Sequence, residues 1–300
     1  MQERPRTIQI YLPSGDPRGI RIAELTTSIV RVIEVPRSLL SQFQEAPEAK
    51  QVALYFLIGE SESGEAMTVY IGQTGEAGKR LAEHHKTKDF WNRAFVVVSL
   101  TNSLTQTHAL FLEWNSIRHA NSAARYAVEN GNNGSKPHTP PPLEADCLDI
   151  FDTARMLLAT LGQPMFEPVA IPKNAARPAE LFCARTSNYD ATGEYTEEGF
   201  VVLEGSKARK DITPSSIGTS LVKRRDELIA NGTLKDVGEF YVFQRDVLFK
   251  TPSGASDVVT GTSTNGWTLW KSRAGKTLDE LKRQPLIEKS QALLDELDAL

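Results

Sequence analysis

Three runs decide how this chain is read: Ala-Leu-Tyr-Phe-Leu-Ile-Gly at 53–59, Val-Tyr-Ile-Gly-Gln-Thr at 69–74, and Gly-Lys-Arg-Leu-Ala-Glu-His-His at 78–85. The first two lie either side of a Gly/Ser/Glu-rich stretch at 60–66, so Val52–Gly59 and Met67–Gly72 read as a hairpin. Gly75–Thr87 then reads as a helix, Phe95–Leu100 as a third strand and Thr105–Val128 as a long helix. Strand pair, helix, strand and helix predict a small α/β (α+β) layer structure, with helices covering an antiparallel sheet.

The residue types along these elements suit phosphodiester hydrolysis, which needs a nucleophile, charge neutralisation at phosphorus and help for the leaving oxygen. Tyr55 and Tyr70 fall on paired strands, so their hydroxyls can converge at one end of the sheet. A tyrosine acts as a base only where a cation or metal lowers its pKa. Arg80 has the planar fork that matches two phosphate oxygens, and His84 lies one helical turn further on the same face. Glu113 stands among Leu110, Phe111, Leu112 and Trp114; a single carboxylate with waters and substrate oxygens suits Mg²⁺ or Mn²⁺. Each residue has a plainer reading: core tyrosines, a solvated helix face for Lys79 and Arg80, a solvent-facing Glu113. Adjacent His84 and His85 do not share a helix face. Order and spacing taken together favour the chemical reading.

That layout resembles the GIY-YIG nuclease family. Ala53-Leu54-Tyr55 takes the place of Gly-Ile-Tyr, and Tyr70-Ile71-Gly72 matches Tyr-Ile-Gly in full. The departures are Ala53 for glycine and Leu54 for isoleucine, and the added methyl in a strand leaves the tyrosine in place. By this resemblance the family's arginine falls on Arg80, its histidine on His84, its metal glutamate on Glu113, and its later asparagine on Asn130, with Asn132 as the alternative. It implies a three-stranded antiparallel sheet flanked by helices and a metal-dependent endonuclease. Tyr55, aided by Tyr70 or His84, would help deprotonate water; Arg80 would stabilise the phosphorane-like transition state; the metal on Glu113 would serve the leaving 3′-oxygen.

Outward from this core, residues 6–36 read as short strands (Thr7–Leu12, Ile20–Ile22, Val30–Val35) and Pro36 opens a short helix. This gives an N-terminal β-rich extension at 1–50 packed on a nuclease domain at 51–130. The run Asn-Gly-Asn-Asn-Gly-Ser-Lys-Pro-His-Thr-Pro-Pro-Pro from 130 begins a linker at 131–180 that contains one helix, Ala145–Leu161. A smaller mixed α+β accessory domain fills 181–300, with strands Leu181–Thr186, Gly199–Leu203 and Glu239–Phe243 and a helix Ser220–Asn231 ended by Gly232. Its Phe200–Ala208, Tyr241–Asp246, Thr251–Ser256 and Asn265–Lys271 resemble an uncharacterised domain often found in bacterial nucleases. Leu278, Leu281, Leu293, Leu294 and Leu297 form a stripe expected to dock on that domain.

The net charge of −4 exerts no overall pull toward nucleic acid, so distribution decides. One basic cluster holds Lys79, His85, Lys86 and Lys88 beside the motif residues; the other holds Lys207, Arg209, Lys210, Lys223, Arg224 and Arg225. Both are read as nucleic-acid contacts, with Trp267 and Trp270 as candidate base-stacking rings or as core. Apolar runs are strand-sized, Met1-Gln-Glu-Arg-Pro-Arg leads into no signal core, and two cysteines make no disulfide framework. No membrane contact and a cytoplasmic setting are expected. The sequence therefore predicts a DNA endonuclease, in restriction or phage defence, with a homodimer or a defence partner as protein contacts. The rivals are a nucleic-acid-binding or signalling protein without catalysis, and an RNA nuclease effector.

Overall fold

The structure is a computed structural model that describes residues 5–60, 67–131, 134–170, 180–216, 220–287 and 290. The chain divides into two compact units, Met1–Pro168 and Val169–Leu300. Both mix strands and helices, as the predicted α+β class requires.

The first unit runs β1 (Ile8–Tyr11), β2 (Arg21–Leu25), β3 (Val30–Pro36), α1 (Leu40–Gln44), β4 (Ala53–Glu60), β5 (Met67–Thr74), α2 (Ala77–Thr87), β6 (Arg93–Ser99), α3 (Gln106–Ala123), β7 (Ala127–Val128) and α4 (Pro141–Thr160). Its strands form one sheet in the order β1-β2-β3-β6-β4-β5-β7. All neighbours are antiparallel except β5 and β7. The sheet is thus seven-stranded, where a three-stranded sheet with a β-rich N-terminal extension packed on it was expected. The reason is β3, which pairs with β6 along its full length from Val30↔Ser99 to Pro36↔Arg93. Glu34, fully buried, locks that seam by accepting from Arg21 at 2.5 Å and from Arg93.

Both faces of the sheet are covered at β4, so its residues 53–59 are all buried and its period of two only sorts side chains between faces. Leu54, Phe56 and Ile58 join Phe95, Val97, Phe111, Leu112, Phe151 and Leu157 on one side. Tyr55 and Leu57 join Ile33, Val35, Phe43, Ala77, Leu81 and Trp91 on the other. Each fully buried large apolar side chain stabilises by about 1.5–3 kcal/mol. Phe151, Ala154, Leu157 and Leu158 place α4 inside the first core, so the predicted linker helix is structural. Two boundaries also move: α3 stops at Ala123 because Ala124 adopts the left-handed conformation, and α4 starts at Pro141, where proline suits the first turn.

The second unit comprises β8 (Leu181–Thr186), β9 (Tyr189–Thr196), β10 (Gly199–Val202), β11 (Lys207–Arg209), α5 (Ser220–Ala230), β12 (Leu234–Val237), β13 (Phe240–Phe243), β14 (Val247–Phe249), α6 (Pro252–Thr260), α7 (Gly266–Leu269) and β15 (Lys271–Ser272). Its sheet runs β12-β13-β11-β9-β10-β14, with β8 paired to β9 and β15. Trp270 is fully buried and donates its indole N–H to the Pro252 carbonyl at 3.1 Å, so it is core. Leu278 and Leu281 dock on the same core, while Leu293, Leu294 and Leu297 lie outside the described residues. Cys147 and Cys183 are both free thiols. Among the described residues no helix is long and apolar enough to cross a membrane.

Candidate active site

β4 and β5 are in register with Tyr55 opposite Gly72 and Leu57 opposite Tyr70. Directly opposed residues share a face, so Tyr55 and Tyr70 both point to the side covered by α2. Gly72 is what lets Tyr55 lean across β5, because a Cβ there would overlap the Tyr55 ring and hydroxyl. The two tyrosine rings lie 6.3 Å apart between centroids, and His84 sits 5.5 Å from Tyr55 and 5.1 Å from Tyr70.

α2 supplies the polar partners. His84 Nε2 lies 2.8 Å from the Tyr55 hydroxyl, and Arg80 Nε donates to the same oxygen at 3.4 Å. Tyr55 is 1% exposed and His84 4%, so the phenolic proton needs an acceptor, and Nε2 provides it. That places the proton of neutral His84 on Nδ1. Burial, followed by the charges of Arg80 and Lys88, lowers the His84 pKa to about 4. Burial also pushes the Tyr55 phenol up, outweighing the hydrogen bond from Arg80. Arg80 turns its other edge outward, with Nη1 donating to Glu83 at 2.8 Å.

Glu113 reaches the same end of β5 from α3. Its carboxylate accepts the Gln73 backbone N–H and feels the charge of Arg80, yet burial dominates and raises its pKa. It also acts electrostatically on Tyr55. A desolvated carboxylate with so few protein donors is suited to a hard cation. Among the described residues no group of three or more His, Cys, Asp or Glu could hold a metal. A single carboxylate of this kind suits an ion that keeps most of its water, such as Mg²⁺.

The structure thus brings Tyr55, Tyr70, Arg80, His84 and Glu113 together; other expected site residues stand elsewhere. Asn130 spends its amide on the backbone of Ile71, accepting its N–H at 3.0 Å and donating to its carbonyl at 2.7 Å. It holds the edge of β5 next to Tyr70 and is a positioning residue; Asn132 lies outside the described residues. His85 is exposed, its Nδ1 accepts from Arg37 Nε at 3.1 Å and its carbonyl from Arg37 Nη2 at 2.9 Å, so Arg37 fixes its ring. Arg37 also donates to the carbonyls of Asp89 and Trp91 and stacks on Trp91, clamping the loop between α2 and β6. Lys79 and Lys86 are exposed, and Lys88 lies over the Tyr70 ring at 4.3 Å.

In the second unit Arg225 is a correction. It is 1% exposed, packed over Tyr241 and donating to the Arg209 carbonyl, and its other terminal nitrogen is buried without a partner. The helical period of α5 turns it inward while Lys223 stays exposed. Lys210 pairs with Asp236 at 2.6 Å, Arg224 with Glu227 at 3.2 Å and Arg209 with Asp211 at 4.0 Å, while Lys207 lies over Phe240. The second basic cluster is therefore largely neutralised locally. Arg37, Gln73 and Glu83 matter to the site and were not singled out from sequence. Arg37 bonds residues 48–54 positions away, and local pattern carries no trace of that.

An α+β sheet carrying a tyrosine–histidine–arginine cluster, with Glu83 paired to the arginine and the half-buried Glu113 nearby, defines a class of candidate site, a polar surface suited to an anion beside a cation. More particularly, residues 181–282 match the model of a family described as a domain of unknown function (DUF4357). No curated protein and no solved structure matches the chain.

Proposed function

We propose that the first unit is a metal-dependent endonuclease of the GIY-YIG kind that hydrolyses phosphodiester bonds in DNA. The observation that carries this is the shared Tyr55 hydroxyl, bonded to both His84 and Arg80, with Glu113 close enough to act on it electrostatically. Arg80 can present its fork to a phosphate only on leaving Glu83, an exposed ion pair of the kind worth about 0–1 kcal/mol. Water beside Tyr55 attacks phosphorus, its proton passing to the phenol oxygen as the phenolic proton passes to His84. Tyr55 never has to exist as a free phenolate, which its burial forbids. His84 is neutral and ready, and a bound phosphate offsets the Arg80 and Lys88 charges that depress its basicity. Glu113 would hold the divalent ion, which supplies charge neutralisation at the leaving 3′-oxygen.

Tyr70 closes the other side of His84 and is itself covered by Lys88, so it orders the imidazole between two rings. The second unit is proposed to add affinity through its exposed cations Lys207 and Lys223, without chemistry. With two free thiols and no membrane-crossing helix among the described residues, a cytoplasmic setting in restriction or phage defence remains our reading. Purified protein with Mg²⁺ or Mn²⁺ and a panel of single- and double-stranded DNA and RNA tests it. DNA cleavage that chelation abolishes is expected; cleavage unaffected by chelation, or confined to RNA, sinks it.

A further inference from the structure

Beside the tyrosine–histidine cluster, α2 borders a groove of about 390 Å³ whose lining includes Lys50, Lys79, Lys86, Glu76 and Glu83. Gly78 lets it form as it does. A Cβ there would come within 2.9 Å of the Ala49 Cβ, and without one α2 lies against the 3₁₀ turn Pro47–Lys50. Lys50 and Lys79, far apart in sequence, thereby line one channel. Among the described residues none of these three lysines has an ion-pair partner. In the same unit Arg21, Arg31, Arg93, Lys136 and Arg155 all do.

The groove meets the site at Glu83. Glu83 lines the groove and accepts from Arg80 Nη1 at 2.8 Å, while Arg80 Nε donates to Tyr55. A carboxylate on a guanidinium edge stands where a phosphate would. On the far side of the cluster Lys88 rests on Tyr70, so unpaired cations flank the site on both sides.

The geometry points to a nucleic-acid phosphate track along Lys50, Lys79 and Lys86 that enters the site at Arg80 by displacing Glu83. The nature of the occupant rests on the nuclease reading above. Lys79 and Lys86 are seven residues apart on α2, about 10 Å, a separation that lets the two cations meet different phosphates of one strand. With cations on both flanks, the strand is gripped on both sides of the scissile phosphate, so the substrate is an internal segment of a polymer and not a free end.

Metal-free full-length protein in EDTA, titrated with a labelled oligonucleotide over a range of salt concentrations, tests this by anisotropy. The triple Lys50→Gln, Lys79→Gln, Lys86→Gln variant is expected to bind about tenfold or more weakly at low salt. Its slope of log K against log salt should be shallower by about 2–3, from three lost phosphate contacts. Should the triple variant fold poorly, Lys50→Gln alone should reduce the slope by about 1. Glu83→Gln should bind several-fold more tightly, because no counter-ion has to leave. An unchanged slope in a folded lysine variant overturns the track, as does a wild type that binds no oligonucleotide. Lysine-dependent binding of inorganic polyphosphate but not of the oligonucleotide overturns the nucleic-acid occupant. The readout is independent of cleavage: a protein that shows the slope change yet never cuts refutes the nuclease reading and leaves the track standing.

Discussion

Glu113, His84 and Gly72 each carry a separable part of the proposed chemistry. Glu113→Gln should abolish cleavage, a loss of several kcal/mol of transition-state stabilisation, and leave binding of an oligonucleotide in EDTA unchanged. Retained cleavage by this variant would show that the metal is held elsewhere. His84 must be neutral to accept a proton, and its pKa in the free protein is about 4. The acid limb of kcat/KM should therefore fall well below the ordinary histidine value, and a limb centred near 6.5 would exclude His84 as the acceptor. The same shift affects stability. The folded state holds His84 neutral, whereas the unfolded chain protonates it near 6.5, so stability is full above that pH. It is lost as pH falls from 6.5 toward 4, by at most about 3 kcal/mol. Relative to the non-titrating His84→Gln variant, wild type should lose urea stability as pH falls through this window, while the difference between the two midpoints stays constant above it. Gly72→Ala should cost about 1–3 kcal/mol through overpacking against Tyr55, and reduce kcat more than affinity by moving that hydroxyl.

At the scale of elements, β5 and the loop between α2 and β6 are the parts whose positions matter. β5 carries Tyr70 and Gly72, and the Gln73 N–H that holds Glu113, while Asn130 secures its open edge at Ile71. Asn130→Ala removes two hydrogen bonds from a half-buried edge and should destabilise the fold by about 1–3 kcal/mol. If Asn130 only positions β5, cleavage should fall in proportion to the folded fraction, and a fall beyond that would place it at the substrate. The loop is fixed by Arg37, which bonds His85, Asp89 and Trp91 at once. Most of this was out of reach of local pattern. The hairpin, α2 and β6 follow from strand-sized apolar runs, a helical period and turn composition, all of which are written in neighbouring residues. β7 does not, since two residues make no period; it exists because Ala124 ends α3 in a left-handed turn and Asn130 mimics a strand partner.

At the scale of the whole molecule, two units with separate cores should separate without loss of either fold. Truncation after Pro168 keeps Phe166 and Met165 in the first core and should leave a folded protein that still cleaves, with weaker binding and a shallower salt slope. A truncated chain that fails to fold cooperatively, judged by a thermal scan, would show that the first unit depends on the second. Removal of Pro141–Thr160 should unfold it in any case, because α4 buries Phe151, Ala154, Leu157 and Leu158.

Sequence alone determined which residue types are near which: Tyr55 and Tyr70 on paired strands, Arg80 and His84 one turn apart on a helix. Those relations are set by strand and helix periods and by hairpin pairing, all local. It also located the α+β class and the second unit's first strand, Leu181–Thr186. Only the tertiary structure decided that Asn130 serves β5, that His85 belongs to Arg37, that Arg225 is buried, and that Lys50 meets Lys79 across a groove. Each of those depends on a partner many residues away, and whether a polar group is spent or free is settled by what packs against it in space.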